Sequence, residues 1–301
     1  MQPCWKHIVV PFCLILALIC LAFPIPLRAQ EEAPKNPGVK PIIEVKEPSP
    51  SQAAAHPERE GMVLVPAGPF LMGSNEEGYQ DQQPQHEISL DDYWIDKYEV
   101  TNHDFARFLN AKGNQIEGGS SWLNTNGVGC HIKEIDGYFK VIAGYETHPV
   151  IHATWYGARA YAQWAGKRLP TEAEWEKAAS WNPELKKKYR WPWGDTWDSE
   201  RLTSWKGVHL FTVPVDSHPN GASPYGVFNM AGNVWEWCAD WYSHDYYKTS
   251  PYKNPTGPVS GEYRVIRGGS WGSYNIFSST SYRSISQPQS SNFDVGFRCV
   301  K

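Results

Sequence analysis

Apolar and polar positions alternate in short stretches at the start of the domain and then change period. Met62-Val63-Leu64-Val65 is a brief apolar run closed by Pro66-Ala67-Gly68, which predicts a strand ending in a turn. Phe70-Leu71-Met72-Gly73, Ile88-Ser89-Leu90 and Tyr93-Trp94-Ile95-Asp96 predict further strands. Thr101 then precedes Phe105, Phe108 and Leu109 at helical spacing, so it caps a helix. Residues 111–147 are Gly-rich with little period and are expected to form a long excursion carrying Cys130. A second helix is predicted over 155–164, with Ala158, Tyr161, Ala162 and Ala165 on one face and Gly166 ending it. Pro170-Thr171-Glu172-Ala173-Glu174 starts a third, with Thr171 and Glu174 spaced as a capping box. Beyond residue 180 only short aromatic-rich strands are expected, broken by Gly, Asn and Pro. Trp235, Trp237 and Trp241 fall on alternate positions of one of them and should share a face. Neither an internal repeat nor a coiled-coil heptad is present.

The N-terminus follows different rules. Lys6 and His7 precede a mostly apolar run from Ile8 to Phe23, and Leu27-Arg28-Ala29 ends in a small residue suited to cleavage. This pattern predicts a signal peptide over 1–29, and hence a periplasmic or secreted protein. An uncleaved anchor is the alternative, although the run is short for a spanning helix and contains Pro11. Lipidation at Cys20 fits least, because Ala17-Leu18-Ile19 is a poor match to a lipidation box. Residues 30–60 scatter prolines among alternating charges and show no apolar period, which predicts a disordered linker before a domain at 61–301.

A chain of 301 residues can bury a sizeable core, and its net charge of −4 gives no basic surface for nucleic acid. All fifteen tryptophans but Trp5 lie beyond residue 90, as expected of an irregular backbone pinned by aromatic packing. The mature chain keeps Cys130, Cys238 and Cys299, which allows one disulfide and leaves one thiol. Cys238 and Cys299 are the preferred pair, since both sit in strongly patterned segments. No Cys-x-x-Cys or zinc-ligand spacing occurs.

Several blocks, taken in order, resemble the formylglycine-generating-enzyme or sulfatase-modifying-factor family. They are MVLVPAGPFLMGS (62–74), WIDKYEVTNHDFARFL (94–109), HPVIHATWYGARAYAQWAGKRLPTEAEWEKAA (148–179), WPWGD (191–195), PYGVFNMAGNVWEWCADWY (224–242), RVIRGGSW (264–271) and GFRC (296–299). The resemblance implies an α+β, C-type-lectin-like fold. It would have little regular structure, a small twisted antiparallel sheet and flanking helices. Within it, Arg168 is expected in a buried ion pair, and Gly268-Gly269 at positive φ or in close backbone approach.

Active members of that family oxidise a sulfatase cysteine to formylglycine with two cysteines that bind copper(I) and the substrate thiolate. These lie just after the Gly-Gly-Ser-aromatic block. Here the matching positions are Ser273 and Ser278. Copper(I) is soft and prefers thiolate, whereas a serine hydroxyl stays protonated at neutral pH. Copper-dependent oxidation is therefore expected to be absent, and no copper is expected. The alternative is that Cys130 swings in from its loop.

A Ser/His/Asp arrangement finds little support: His148, His152, His209, His218 and His244 are scattered, and no Gly-x-Ser-x-Gly elbow occurs. His148 and His152 have the i,i+4 spacing of a metal pair, but Pro149 breaks the helix that would align them. The resemblance also implies one calcium site, from Asn229, Gly232, Val234 and Glu236, with an unmetallated turn as the alternative. A second family calcium site is not expected, because 206–212 lacks the required Asp. The groove is expected to hold Trp235, Ser270, Trp271, Ser273, Tyr274, Phe277 and Ser278. The leading expectation is a binding or accessory factor for an exported protein, peptide or glycan, touching membrane only through export or an uncleaved anchor. A tailoring oxidase using the same pocket by different chemistry is the alternative.

Overall fold

A computed structural model of the chain describes residues 61–76, 79–205 and 211–301. The expected signal peptide and linker, and 206–210 of the second calcium segment, lie outside these.

Strands β1 (Met62–Val65) and β4 (Tyr93–Asp96) pair antiparallel, as do β2 (Gly68–Met72) and β3 (His86–Leu90). Helix α1 (Asn102–Lys112) starts where expected: the Thr101 hydroxyl accepts from the Asp104 amide at 3.1 Å. The 111–147 excursion is more regular than its sequence suggests. It carries two hairpins, β5 (Ile116–Glu117) with β6 (Ser120–Ser121) and β7 (Ile132–Ile135) with β8 (Tyr138–Val141). Thr154 caps α2 (Trp155–Trp164), and Thr171 caps α3 (Glu172–Ser180) with the complete capping box.

Every residue of α3 is buried, including its charged ones. The carboxylates survive desolvation because each is paired with a cation, and Lys177 by donating to backbone carbonyls. Glu172 takes Arg283 at 2.7 and 2.9 Å and Arg267 at 3.1 Å, and Glu176 takes Arg267 and Lys188 at 2.6 Å each. The Lys177 ammonium donates to the carbonyls of Pro66 and Gly68, and burial lowers its pKa to about 8. Arg168, by contrast, pairs with Glu174 at 2.6 Å while remaining half exposed, so the expected ion pair forms near the surface.

A two-stranded β9 (Trp181–Asn182) and β10 (Lys187–Lys188) follows α3. The main sheet has the order β13 (Ser284–Ser286), β12 (Arg264–Arg267), β11 (Trp235–Trp241), β14 (Val295–Gly296). It is antiparallel except for the parallel β11/β14 pair.

The β11/β12 register slips between Trp237 and Trp241, so the three tryptophans do not share one environment. Trp235 and Trp237 enter an apolar cluster with α1, α2 and the β7/β8 hairpin, where the Trp237 indole donates to the Ala153 carbonyl at 3.0 Å. Trp241 is half-buried and stacks on Arg264. A second cluster joins β1–β4, α3 and the other face of β11.

All three cysteines described are buried and unbridged. The expected Cys238–Cys299 disulfide is not formed. The two thiols belong to different clusters, Cys299 with Cys130 in the first and Cys238 in the second.

Candidate functional site

The site lies where β12 runs out into Gly268-Gly269 and turns. Gly269 has φ 75°, and a Cβ there would come within 2.6 Å of the Ser278 hydroxyl, so the corner requires glycine. Ser270 is fully buried, its hydroxyl donating to Asp294 Oδ2 at 2.9 Å. The Ser273 hydroxyl accepts from the Ser270 amide at 2.9 Å and lies 3.1 Å from the Ser270 hydroxyl. Ser273 and Ser278 thus flank one backbone corner, Ser273 on the Ser270 amide and Ser278 against Gly269. The Ser278 hydroxyl is buried with no hydrogen-bond partner. Burial holds the Asp294 carboxyl above its usual range, opposed by the Ser270 hydroxyl. No histidine hydrogen-bonds Ser270 or Ser273 among the described residues; the only titratable partner of the pair there is Asp294.

Cys130 does not supply the missing thiol. It sits in the core, its thiol donating to the Ile132 carbonyl at 3.5 Å, and burial raises its pKa. Burial pushes the Cys238 and Cys299 thiols up further. All three are in the environment of inert structural cysteines.

The aromatic residues expected in one groove divide in two. Trp271 lies between Phe211 and Phe293, at centroid distances of 5.8 and 5.7 Å. With Val128 and His152 these rings wall an open cavity of about 490 Å³. On the other side, Tyr274 leads to Phe277, then Tyr282, then Trp235, at 6.5, 5.0 and 6.0 Å. Tyr274 is exposed and Phe277 half-buried, but Trp235 is only 8% exposed and belongs to the core, not to an open groove wall. Sequence reasoning missed Val128, Phe211 and Phe293, which come from three separate loops outside the family blocks. It also missed His152 as a wall. His148 and His152 diverge: His148 meets the Thr212 hydroxyl at 3.0 Å, while His152, at φ 65°, places its ring nitrogens 2.8 and 3.2 Å from the carbonyls of Val128 and Ser291.

The four expected calcium ligands are all buried, Asn229, Gly232 and Val234 on a turn where Asn229, Gly232 and Asn233 have φ 53°, 80° and 61°, and Glu236 on β11. The Asn229 side-chain amide nitrogen donates to Glu99 at 2.9 Å and to the Val215 carbonyl at 2.8 Å. Glu236 is bound by Arg298 at 2.7 Å through both oxygens and by the Trp175 indole at 2.9 Å. Two buried carboxylates, Glu99 and Glu236, therefore face one guanidinium. Burial chiefly, with Glu236 adding, pushes the Glu99 carboxyl up to about 7. This all-oxygen set is of the kind a hard cation takes, with Arg298 already on both Glu236 oxygens. It relies on an amide and backbone carbonyls, since no three His, Cys, Asp or Glu side chains converge among the described residues.

The mixed α+β arrangement around one small sheet is that of the formylglycine-generating-enzyme variant of the C-type-lectin-like fold. A solved structure, PvdO from Pseudomonas aeruginosa, superposes with a TM-score of 0.62 at 25% identity, covering 79% of this chain and 93% of that one. Residues 46–301 match the sulfatase-modifying factor enzyme 1-like domain, and the chain belongs to that family. It is 38% identical to the formylglycine-generating enzyme of Streptomyces coelicolor over 314 residues, 85% of this chain and 96% of that protein. It is also 40% identical over 242 residues to the serine/threonine-protein kinase pkn1 of Chlamydia caviae. That match covers 80% of this chain but only 38% of the kinase.

Proposed function

We propose that this domain is an exported recognition module of its family that does not carry out copper-dependent formylglycine formation, and that it binds an apolar segment of another exported protein. Export rests on the Lys6–Ala29 pattern. Loss of oxidation rests on Ser273 and Ser278, which offer hydroxyls where a soft ion needs sulfur. The single observation that carries recognition is the open cavity of Val128, Phe211, Trp271 and Phe293 beside the serine corner. Val128, Phe211 and Phe293 are each more than half exposed, an unusual concentration of apolar surface unless it is covered by a partner. A peptide side chain fits these walls better than a glycan does. A sugar needs hydrogen-bonding walls, and the one polar wall residue, His152, already has both ring nitrogens against carbonyls.

Peptide selection on the immobilised full chain tests this. Selected peptides should carry an aromatic or aliphatic anchor and lose at least about tenfold in affinity against Trp271→Ala. Equal binding to both proteins would reject the cavity as the site.

The second reading, a tailoring enzyme of different chemistry, is favoured by one observation, the buried Ser273–Ser270–Asp294 hydrogen-bonded chain. Turnover abolished by Asp294→Asn or Ser273→Ala in a folded protein would select it. A calcium ion held by Asn229, Gly232, Val234 and Glu236 has a structural role in either reading, supplying positive charge beside Glu99.

A further inference from the structure

Away from the serine corner, a second cavity of about 610 Å³ opens between α2, the start of α3 and the β11/β12 edge. Its volume is that of a small-molecule site. Its walls are largely apolar: Leu90, Trp155, Leu169 and Ala239. Two arginines from different elements, Arg159 and Arg264, also line it.

Arg264 is held in an unusual way. Its guanidinium carbon lies 3.7 Å from the Trp155 ring centroid and 3.4 Å from that of Trp241. At such distances the two indoles must take opposite faces of the guanidinium. Its Nη1 donates to the Ala239 carbonyl at 2.5 Å, and its Nε is buried without a partner. Nη2 has no hydrogen-bond partner among the described residues and is not fully buried, which leaves it as the accessible donor. No carboxylate pairs with Arg264 among the described residues. Burial, offset only in part by Tyr156 and Asp240, lowers its pKa to about 10. Arg159 lies over the same Trp155 ring at 5.0 Å and pairs with Glu117, its Nε also buried without a partner.

The other charges around the cavity are mostly matched. Arg168 pairs with Glu174, and Asp91 with Lys253 at 3.1 Å. Asp92, next to Asp91 in the chain, has no ion pair among the described residues. The charge left over at the tryptophan end is therefore positive.

We infer that this cavity binds a small organic carboxylate with a planar, apolar body, its carboxylate on Arg264 Nη2 with Arg159 alongside. The indole planes that clamp Arg264 define a slot in the plane of the guanidinium. A carboxylate on a flat apolar body can enter such a slot along the guanidinium plane with its apolar part against the indoles, whereas inorganic phosphate or sulfate gains nothing from the apolar walls. The apolar walls then cover the rest of the ligand.

Calorimetric titration of the full chain with benzoate, benzamide and inorganic phosphate tests the assignment. Benzoate should bind saturably, and benzamide and phosphate at least about tenfold more weakly. Arg264→Gln should weaken benzoate at least about tenfold, and Arg264→Lys less. Arg159→Gln, on the helix surface, should also weaken it, and it keeps the test open if near-UV circular dichroism shows that Arg264→Gln does not fold. Benzamide binding as well as benzoate, phosphate binding better, or full benzoate affinity in both arginine-to-glutamine variants would overturn the proposal. So would loss of benzoate binding in Trp271→Ala, which would place the carboxylate in the other cavity.

Discussion

Ser278 carries an unpaired buried hydroxyl, and Ser270 a fully paired one. A buried hydroxyl without a partner costs on the order of 1–3 kcal/mol, whereas a paired one contributes about 1 kcal/mol. Ser278→Ala should therefore leave urea-unfolding stability unchanged or raise it. Ser270→Ala, which strands Asp294, should lower stability by about 1–3 kcal/mol. Equal losses in the two variants would mean that Ser278 has a partner after all. The serine positions themselves were legible in the sequence, because a short block fixes their spacing from Gly268-Gly269. Their hydrogen bonding was not, because Asp294 reaches Ser270 only through the parallel β11/β14 pairing, which no local pattern encodes.

Helices were the most readable elements, since their caps are local: Thr101, Thr154 and Thr171 each bond an amide three residues on. The hairpins of 111–147 escaped notice because strands of two to four residues are too short to show a period. The slip in β11 was hidden as well, so Trp237 and Trp241 parted company. Trp237 is fully buried, and Trp237→Ala should cost about 3–5 kcal/mol in chemical denaturation. A loss below about 1 kcal/mol would contradict its place in the core. Asp240, on the same strand, gives a pH signature. Burial first, and Glu172 next, raise its carboxyl from 3.8 to about 8. The folded chain then keeps a proton that the unfolded chain releases, so this group's contribution to stability falls as pH rises from about 4 to about 8. Thermal melts across that window should decline less in Asp240→Asn than in the parent. Parallel profiles would show that Asp240 is ionised when folded.

At the scale of the whole molecule, charged residues, not disulfides, tie the two apolar clusters together. Arg298, fully buried between Glu236 and the Asp96, Lys97 and Phe228 carbonyls, is one such tie. A calcium ion at the adjoining Asn229–Glu236 turn would stabilise the native state by mass action. The melting temperature of the full chain should therefore rise with added calcium and fall with chelator. An unchanged value would leave Arg298 as the only cation there. Family and fold were legible because ordered blocks span almost the whole domain. The open cavity was not, because Val128, Phe211 and Phe293 come together only in three dimensions. The central claim remains the absence of sulfur at the serine corner. It is tested most directly by incubating the copper(I)-loaded full chain with a sulfatase peptide bearing its target cysteine, and reading aldehyde by mass spectrometry. The chain should yield no formylglycine above a copper-only control; formylglycine formed with turnover would contradict the account.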